Sequence, residues 1–165
     1  MHFPRNVFHA ADPPSPMHAV RTAVAAVVSL LVAGLLGLPE AYWASITALI
    51  VMQSTLGAAL TISIQRLAGT AIGAFIGAIL ANWFGPNVFA FGGGVLAIGL
   101  LCGVLRMEKS GYRYASIALA IVMLIVRANS PWVIAAHRFL EVSAGIGVAL
   151  ALTAAWPEKQ KVTHS

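Results

Sequence analysis

The sequence predicts an all-α fold: a polytopic membrane protein of six transmembrane helices, arranged as two inverted three-helix repeats. Three observations predict it. Hydrophobic residues fill 59% of the 165 positions and charged ones only 9%, where a soluble domain carries roughly a quarter charged. Six apolar segments run between polar ends, most of them near the roughly 20 residues that cross a bilayer as a helix. A local pattern in the second segment returns in the fifth.

Residues 1–19 contain Pro4, Pro13, Pro14 and Pro16 and no hydrophobic period, so they read as an irregular tail. The apolar segments follow at about 20–38, 41–60, 67–84, 88–105, 114–126 and 133–156. Pro39-Glu40 turns the first onto the second, Gly85-Pro86-Asn87 breaks the third from the fourth, and Asn129-Ser130-Pro131 the fifth from the sixth. The fifth is short as written and is expected to extend from Gly111 past Arg127, whose side chain can snorkel toward the headgroups. Residues 157–165 form a second polar tail, leaving 20–156 as the membrane module.

Charge placement sets the orientation. With the N-terminus inside, Arg5, Arg21, Arg66, Arg106, Lys109, Arg113, Lys159 and Lys161 lie at cytoplasmic ends, and Arg127 and Arg138 lie outside. That satisfies the positive-inside rule with both termini cytoplasmic. The net charge of +5 does not argue for nucleic acid, because the basic residues are scattered singly. Mean hydropathy of +0.87 agrees with lipid as the surrounding medium. The single Cys102 cannot form an intrachain disulfide.

The repeat is carried by short matches. Ala44-Ser45-Ile46 returns as Ala115-Ser116-Ile117 and Ile50-Val51-Met52 as Ile121-Val122-Met123, both 71 positions on, each preceded by an aromatic, Trp43 or Tyr114. Gln65-Arg66 and His137-Arg138 follow at an offset of 72, and each arginine has a glycine seven positions later, Gly73 and Gly145. Chance recurrence in a small apolar alphabet is the competing reading. Two units of three helices are the other; three being odd, the second unit is inverted, a recurrent transporter construction with the ligand near the repeat interface.

No enzymatic or metal-binding constellation is present: no HExxH, CxxC, GxSxG or GxxxxGK, and Gly92-Gly93-Gly94 lacks the Lys and Ser/Thr of a phosphate loop. No catalytic residue, metal or cofactor is expected. Of the acidic residues, only Glu141 approaches a span interior, and its i, i+3 and i, i+4 spacing from Arg138 and His137 reads as an ion pair capping the outer end of the sixth helix. Gly69, Gly73 and Gly77 form a small-residue stripe on the third helix. Gly99 and Gly103 on the fourth and Gly147 on the sixth repeat the device, and all six read as helix-packing positions, within the chain or across a dimer seam.

Arg66 and Arg138 open the two repeat-related segments, and Arg127 breaks the positive-inside pattern. Each can anchor at the interface, or present its planar fork to a carboxylate. Gln53, within the second span, needs a partner, either another helix or a substrate. Interfacial belts account for Tyr42, Trp43, Trp83, Trp132 and Trp156 without a ligand.

Taken together, Arg21-Thr22-Ala23-Val24-Ala25, Leu38-Pro39-Glu40-Ala41-Tyr42-Trp43-Ala44 and Gln65-Arg66-Leu67-Ala68-Gly69-Thr70-Ala71-Ile72-Gly73 resemble the membrane module of the fusaric acid resistance-like (FUSC) family, grouped with the aromatic acid exporters. His137-Arg138 with Gly145 resembles the corresponding end of that module, and the resemblance covers about residues 18–157. It implies an inner-membrane efflux module for aromatic and other organic acids and related toxic compounds, driven by the ion gradient. Arg66, Arg127 and Arg138 would then attract the small organic anion, with Gln53, Trp43 and Tyr114 lining the route for its ring. Many family members carry two membrane modules or a large cytoplasmic domain, so one module is expected to self-associate as a homodimer or higher homo-oligomer. A non-transporting scaffold or accessory subunit is the alternative role.

Overall fold

The computed structural model describes residues 15–53, 55–125 and 129–156. Among them are six α-helices: α1 (Pro16–Leu35), α2 (Tyr42–Val51), α3 (Leu56–Phe84), α4 (Val88–Val104), α5 (Lys109–Leu124) and α6 (Pro131–Ala155). Three of these, α1, α3 and α6, are long and apolar enough to cross a membrane by length and composition.

Capping explains where the helices differ from the hydropathy boundaries. α1 starts at Pro16, inside the expected tail, because the Ser15 side chain accepts from the His18 backbone N–H at 3.1 Å and Pro16 has the fixed φ that suits a first turn. Residues 1–14 and 157–165 lie outside the described residues, as does Arg127. The larger change is at the second break. α2 stops at Val51, Met52 leaves the helix at ψ 109°, and Thr55 restarts the chain by accepting from the Ala58 N–H at 3.3 Å. The apolar run from Leu56 to Leu60 therefore belongs to α3, not α2. With ten residues α2 is only about 15 Å long, while α3, with 29, is about 43 Å. Arg66 consequently lies ten residues inside α3 rather than at its start, and Arg138 seven residues inside α6.

α1 and α4 end alike. Gly37, at φ 69°, and Arg106, at φ 52°, take the left-handed position of a Schellman cap, with Leu38 N–H on Ala33 O at 3.0 Å and Met107 N–H on Cys102 O at 2.9 Å. Gly85, at φ 61°, ends α3 ahead of Pro86.

The bundle is small inside and large outside. Its interior is dominated by Ala25, Ala44, Ala48, Ala59, Ala74, Ala78, Ala115, Ala118 and Ala149, while Leu31, Leu35, Phe75, Trp83 and Phe89 face outward. In water that distribution would leave most of the apolar area exposed. In lipid it is the stable one, because large apolar side chains lose nothing by facing acyl chains and small ones let helix backbones approach.

Two parallel seams, α3 against α5 and α2 against α6, are joined by the packing of α3 on α6. In the first, a Cβ on Gly69 would meet the Gly111 carbonyl, one on Gly73 the Ala115 backbone, and one on Gly77 the Leu119 backbone. In the second, the Glu141 side chain accepts from the Glu40 N–H, a Cβ on Gly145 would run into the Ala44 carbonyl, and the Thr153 hydroxyl reaches Met52 Sδ at 3.4 Å. Glu141, Gly145, Glu40 and Ala44 of the second seam stand at the offsets of 72 and 71 from Gly69, Gly73, Gly111 and Ala115 of the first, and the Met52–Thr153 contact lies about two turns beyond Ala44 and Gly145. α1 packs on α2 and α6, and α4 on α5 and α3, in the same relation.

The six glycines differ in what surrounds them within the chain. Gly69, Gly73 and Gly77 lie in a seam, and Gly99 faces the Tyr112 ring at 3.4 Å. Gly103 and Gly147 do not pack within the chain: a Cβ on either meets nothing within 4 Å. On α6 it is Gly145, two residues earlier, that faces α2.

Candidate functional site: a buried arginine pair

Where the two seams come together, each holds one guanidinium stacked on a ring of the facing helix. Arg66 of α3 sits 4.9 Å from the centroid of Tyr114 on α5, and Arg138 of α6 sits 3.7 Å from the centroid of Trp43 on α2. Both distances are within the roughly 6 Å over which a cation is held by a ring face. The two pairs match by sequence offset: Arg138 stands 72 positions after Arg66, and Tyr114 71 positions after Trp43.

The arginines are buried, at 4% and 3% exposure. A buried charge is costly unless its donors are satisfied and a counter-charge is near. Arg66 donates through Nε and Nη2 to the hydroxyl of the fully buried Thr47, at 3.2 and 3.0 Å. Thr47 lies one turn beyond Trp43 on α2, so both guanidiniums rest against one face of that helix. Arg138 is served differently. Its Nη1 lies 3.8 Å from Glu141 Oε2, close enough for an ion pair but beyond hydrogen-bond reach. Nε and Nη1 of Arg138 have no hydrogen-bond partner.

Glu141, 1% exposed, stands ten residues into α6, roughly 15 Å along a helix of about 37 Å. It is thus a carboxylate deep in a span, not the outer cap expected from the sequence. Its Oε1 accepts from the Glu40 N–H at 3.1 Å, and Glu40 in turn accepts from Trp43 Nε1 at 3.0 Å, which fixes the indole beneath Arg138. The tilted Tyr42 ring, 5.4 Å from Trp43, flanks it.

Of the residues singled out from sequence, the fold brings together Arg66, Arg138, Trp43 and Tyr114. Gln53 is elsewhere, at the far end of α2, where its amide donates to Ile50 O at 3.3 Å and its backbone carbonyl accepts from Arg21. Thr47, Glu40 and Glu141 are the members that the sequence reading missed as site residues. The Arg138-x-x-Glu141 spacing signals one of them; nothing local signals that Thr47 meets Arg66 across 19 positions. No group of three or more His, Cys, Asp or Glu that could hold a metal occurs among the described residues. The arrangement offers positive charge, ring faces and N–H groups without hydrogen bonds among buried residues.

A family model for fusaric acid resistance protein-like proteins matches residues 23–152. The chain belongs to that family. It is 30% identical over 142 residues to a protein of Escherichia coli strain K12 named uncharacterized transporter YdhK, covering 78% of this chain and 21% of that one. The protein of the same name in Salmonella typhimurium LT2 is 31% identical over 139 residues, covering 78% of this chain and 20% of its own. The chain therefore spans about a fifth of the length of the curated relatives it matches. No solved structure matches it. Those relatives are named as transporters, and three helices of this chain are long and apolar enough to cross a membrane.

Proposed function

We propose that this chain is a six-span module of two inverted three-helix units that carries organic monoanions, aromatic carboxylates first among them, outward across the inner membrane. The observation that carries the reading is the arginine pair, two buried guanidiniums stacked on rings of facing helices, with Nε and Nη1 of Arg138 making no hydrogen bond. A carboxylate takes a guanidinium edge bidentately, and the neighbouring ring faces suit an aromatic body. Inverted units are supported by the doubled seam, and a site where units meet near mid-helix is where such constructions hold their ligand.

Two short helices, α2 and α5, approach the site. Both termini are assigned to the cytoplasm because Arg21, Arg106, Lys109 and Arg113 gather at the ends of helices sharing that side. The export direction accords with the family's description as resistance protein-like. Self-association as a homodimer or higher homo-oligomer belongs to the same proposal, since one small bundle offers little wall for a path.

The test is flux of labelled 4-hydroxybenzoate in proteoliposomes holding the purified chain. Arg138→Gln and Arg66→Gln are each expected to reduce flux at least about tenfold, the worth of roughly 1.4 kcal/mol of lost anion binding. Unchanged flux in the double variant would overturn the site assignment.

A further inference from the structure

Glu141 marks the place where the two seams differ. By the repeat it stands where α3 has Gly69, and close backbone packing alone asks for a small residue there. A carboxylate occupies the position instead, 1% exposed, bonded to the Glu40 N–H and 3.8 Å from Arg138. Arginine is duplicated by the repeat; this carboxylate is not.

The charges around it balance. Arg138, with His137 beside it, comes from the same helix, Arg66 from α3, and Glu40 and Tyr42 from the α1–α2 turn and α2. From α5 the titratable neighbour is Tyr114, beneath Arg66. The basic end of α1 is remote, since Arg21 reaches the last turn of α6 at Trp156 O. Among the described residues, then, two arginines face two glutamates, and the cluster is neutral when all are ionised. A monoanion entering it would add a net negative charge in a medium that solvates charge poorly.

We propose that Glu141 is the internal counter-anion of Arg138 and takes up one proton from solvent when a substrate carboxylate displaces it, so that anion and proton bind as a pair. This rests on the reading of the arginine pair as an anion site. Protonation restores neutrality and releases Arg138, whose Nε and Nη1 are already without hydrogen-bond partners. Glu40, half-buried, is engaged with the Trp43 indole N–H. By reciprocity the proton strengthens anion binding as much as the anion strengthens proton binding. The loaded site then carries no net charge, which is what a span interior tolerates.

The experiment is calorimetric titration of the detergent-purified chain with 4-hydroxybenzoate, repeated in buffers of different ionisation heat, for wild type and Glu141→Gln. Wild type is expected to take up one proton per anion, with affinity falling about tenfold per pH unit once Glu141 is ionised. Glu141→Gln is expected to bind with no proton uptake and a flat pH profile. Binding by wild type without proton uptake overturns the proposal and needs no variant. Equal uptake in Glu141→Gln also overturns it while leaving the anion site standing. If wild type binds no 4-hydroxybenzoate, the anion-site reading fails and the proposal with it. The neutral amide 4-hydroxybenzamide is expected to bind without proton uptake; uptake with it refutes the charge-balance argument.

Discussion

Gly73 and Gly147 are both helical glycines in apolar surroundings, and the structure gives them opposite fates on substitution by alanine. A Cβ on Gly73 would collide with the Ala115 carbonyl oxygen and sit 2.6 Å from its carbon and 2.8 Å from its Cα. These are backbone atoms in the middle of α5, so no side chain can swing aside. α3 must move away by something near 1 Å, which forfeits a quarter to a half of the dispersion energy along the seam's contacts. Overpacking of this kind costs typically 1–3 kcal/mol, and the upper end applies where backbone meets backbone. Replacing a mid-helix glycine returns about 1 kcal/mol of helix propensity, leaving Gly73→Ala destabilised by about 2 kcal/mol. Gly147 faces open space, so Gly147→Ala keeps the propensity gain whole. The two variants should differ by about 3 kcal/mol, or roughly 6–12 °C in melting temperature at this chain length. Circular dichroism melts of both in the same detergent measure it. Gly145→Ala, which meets the Ala44 carbonyl, should fall with Gly73→Ala. If Gly73→Ala melted at or above Gly147→Ala, the parallel α3–α5 seam would be wrong.

Two further outcomes follow from other parts of the fold. Arg21 is 1% exposed and donates to Trp156 O at 2.7 Å and to Gln53 O, tying α1 to the ends of α6 and α2, where helix dipoles favour a cation. Arg21→Ala should lower stability by about 3 kcal/mol in a thermal melt and Arg21→Lys by less, since an ammonium keeps the charge but not the fork. A wild-type melting point in Arg21→Ala would show the clamp to be idle. For topology, in a Cys102→Ser background, Asn87→Cys should react with an impermeant maleimide in intact spheroplasts, and Lys109→Cys only after permeabilisation. Labelling of both from the same side would refute six spans.

Much of the fold was legible because lipid imposes a one-dimensional code. An apolar run must be helical to satisfy its backbone, so α1, α4 and α6 were found within a few residues. The break between α2 and α3 was not, because Gln53-Ser54-Thr55 is a short polar interruption between apolar runs. Hydropathy averages across it, whereas the Thr55 cap ends the averaging at one residue. That single shift moved Arg66 from a membrane edge to a span interior. Glu141 was visible as a partner of Arg138, but its depth depended on where α6 begins and on which side of α6 faces α2.

Composition and period by themselves determined that the chain is helical, lipid-facing and glycine-packed, since these follow from local polarity and side-chain size. They did not determine partners. Only the tertiary structure decided that α3 pairs with α5 and α2 with α6, so that Arg66 rests on Tyr114 and Arg138 on Trp43. The reason is physical: which small-residue stripe faces which helix depends on how closely two backbones can approach in three dimensions. In lipid no hydrophobic gradient along the sequence selects one pairing over another.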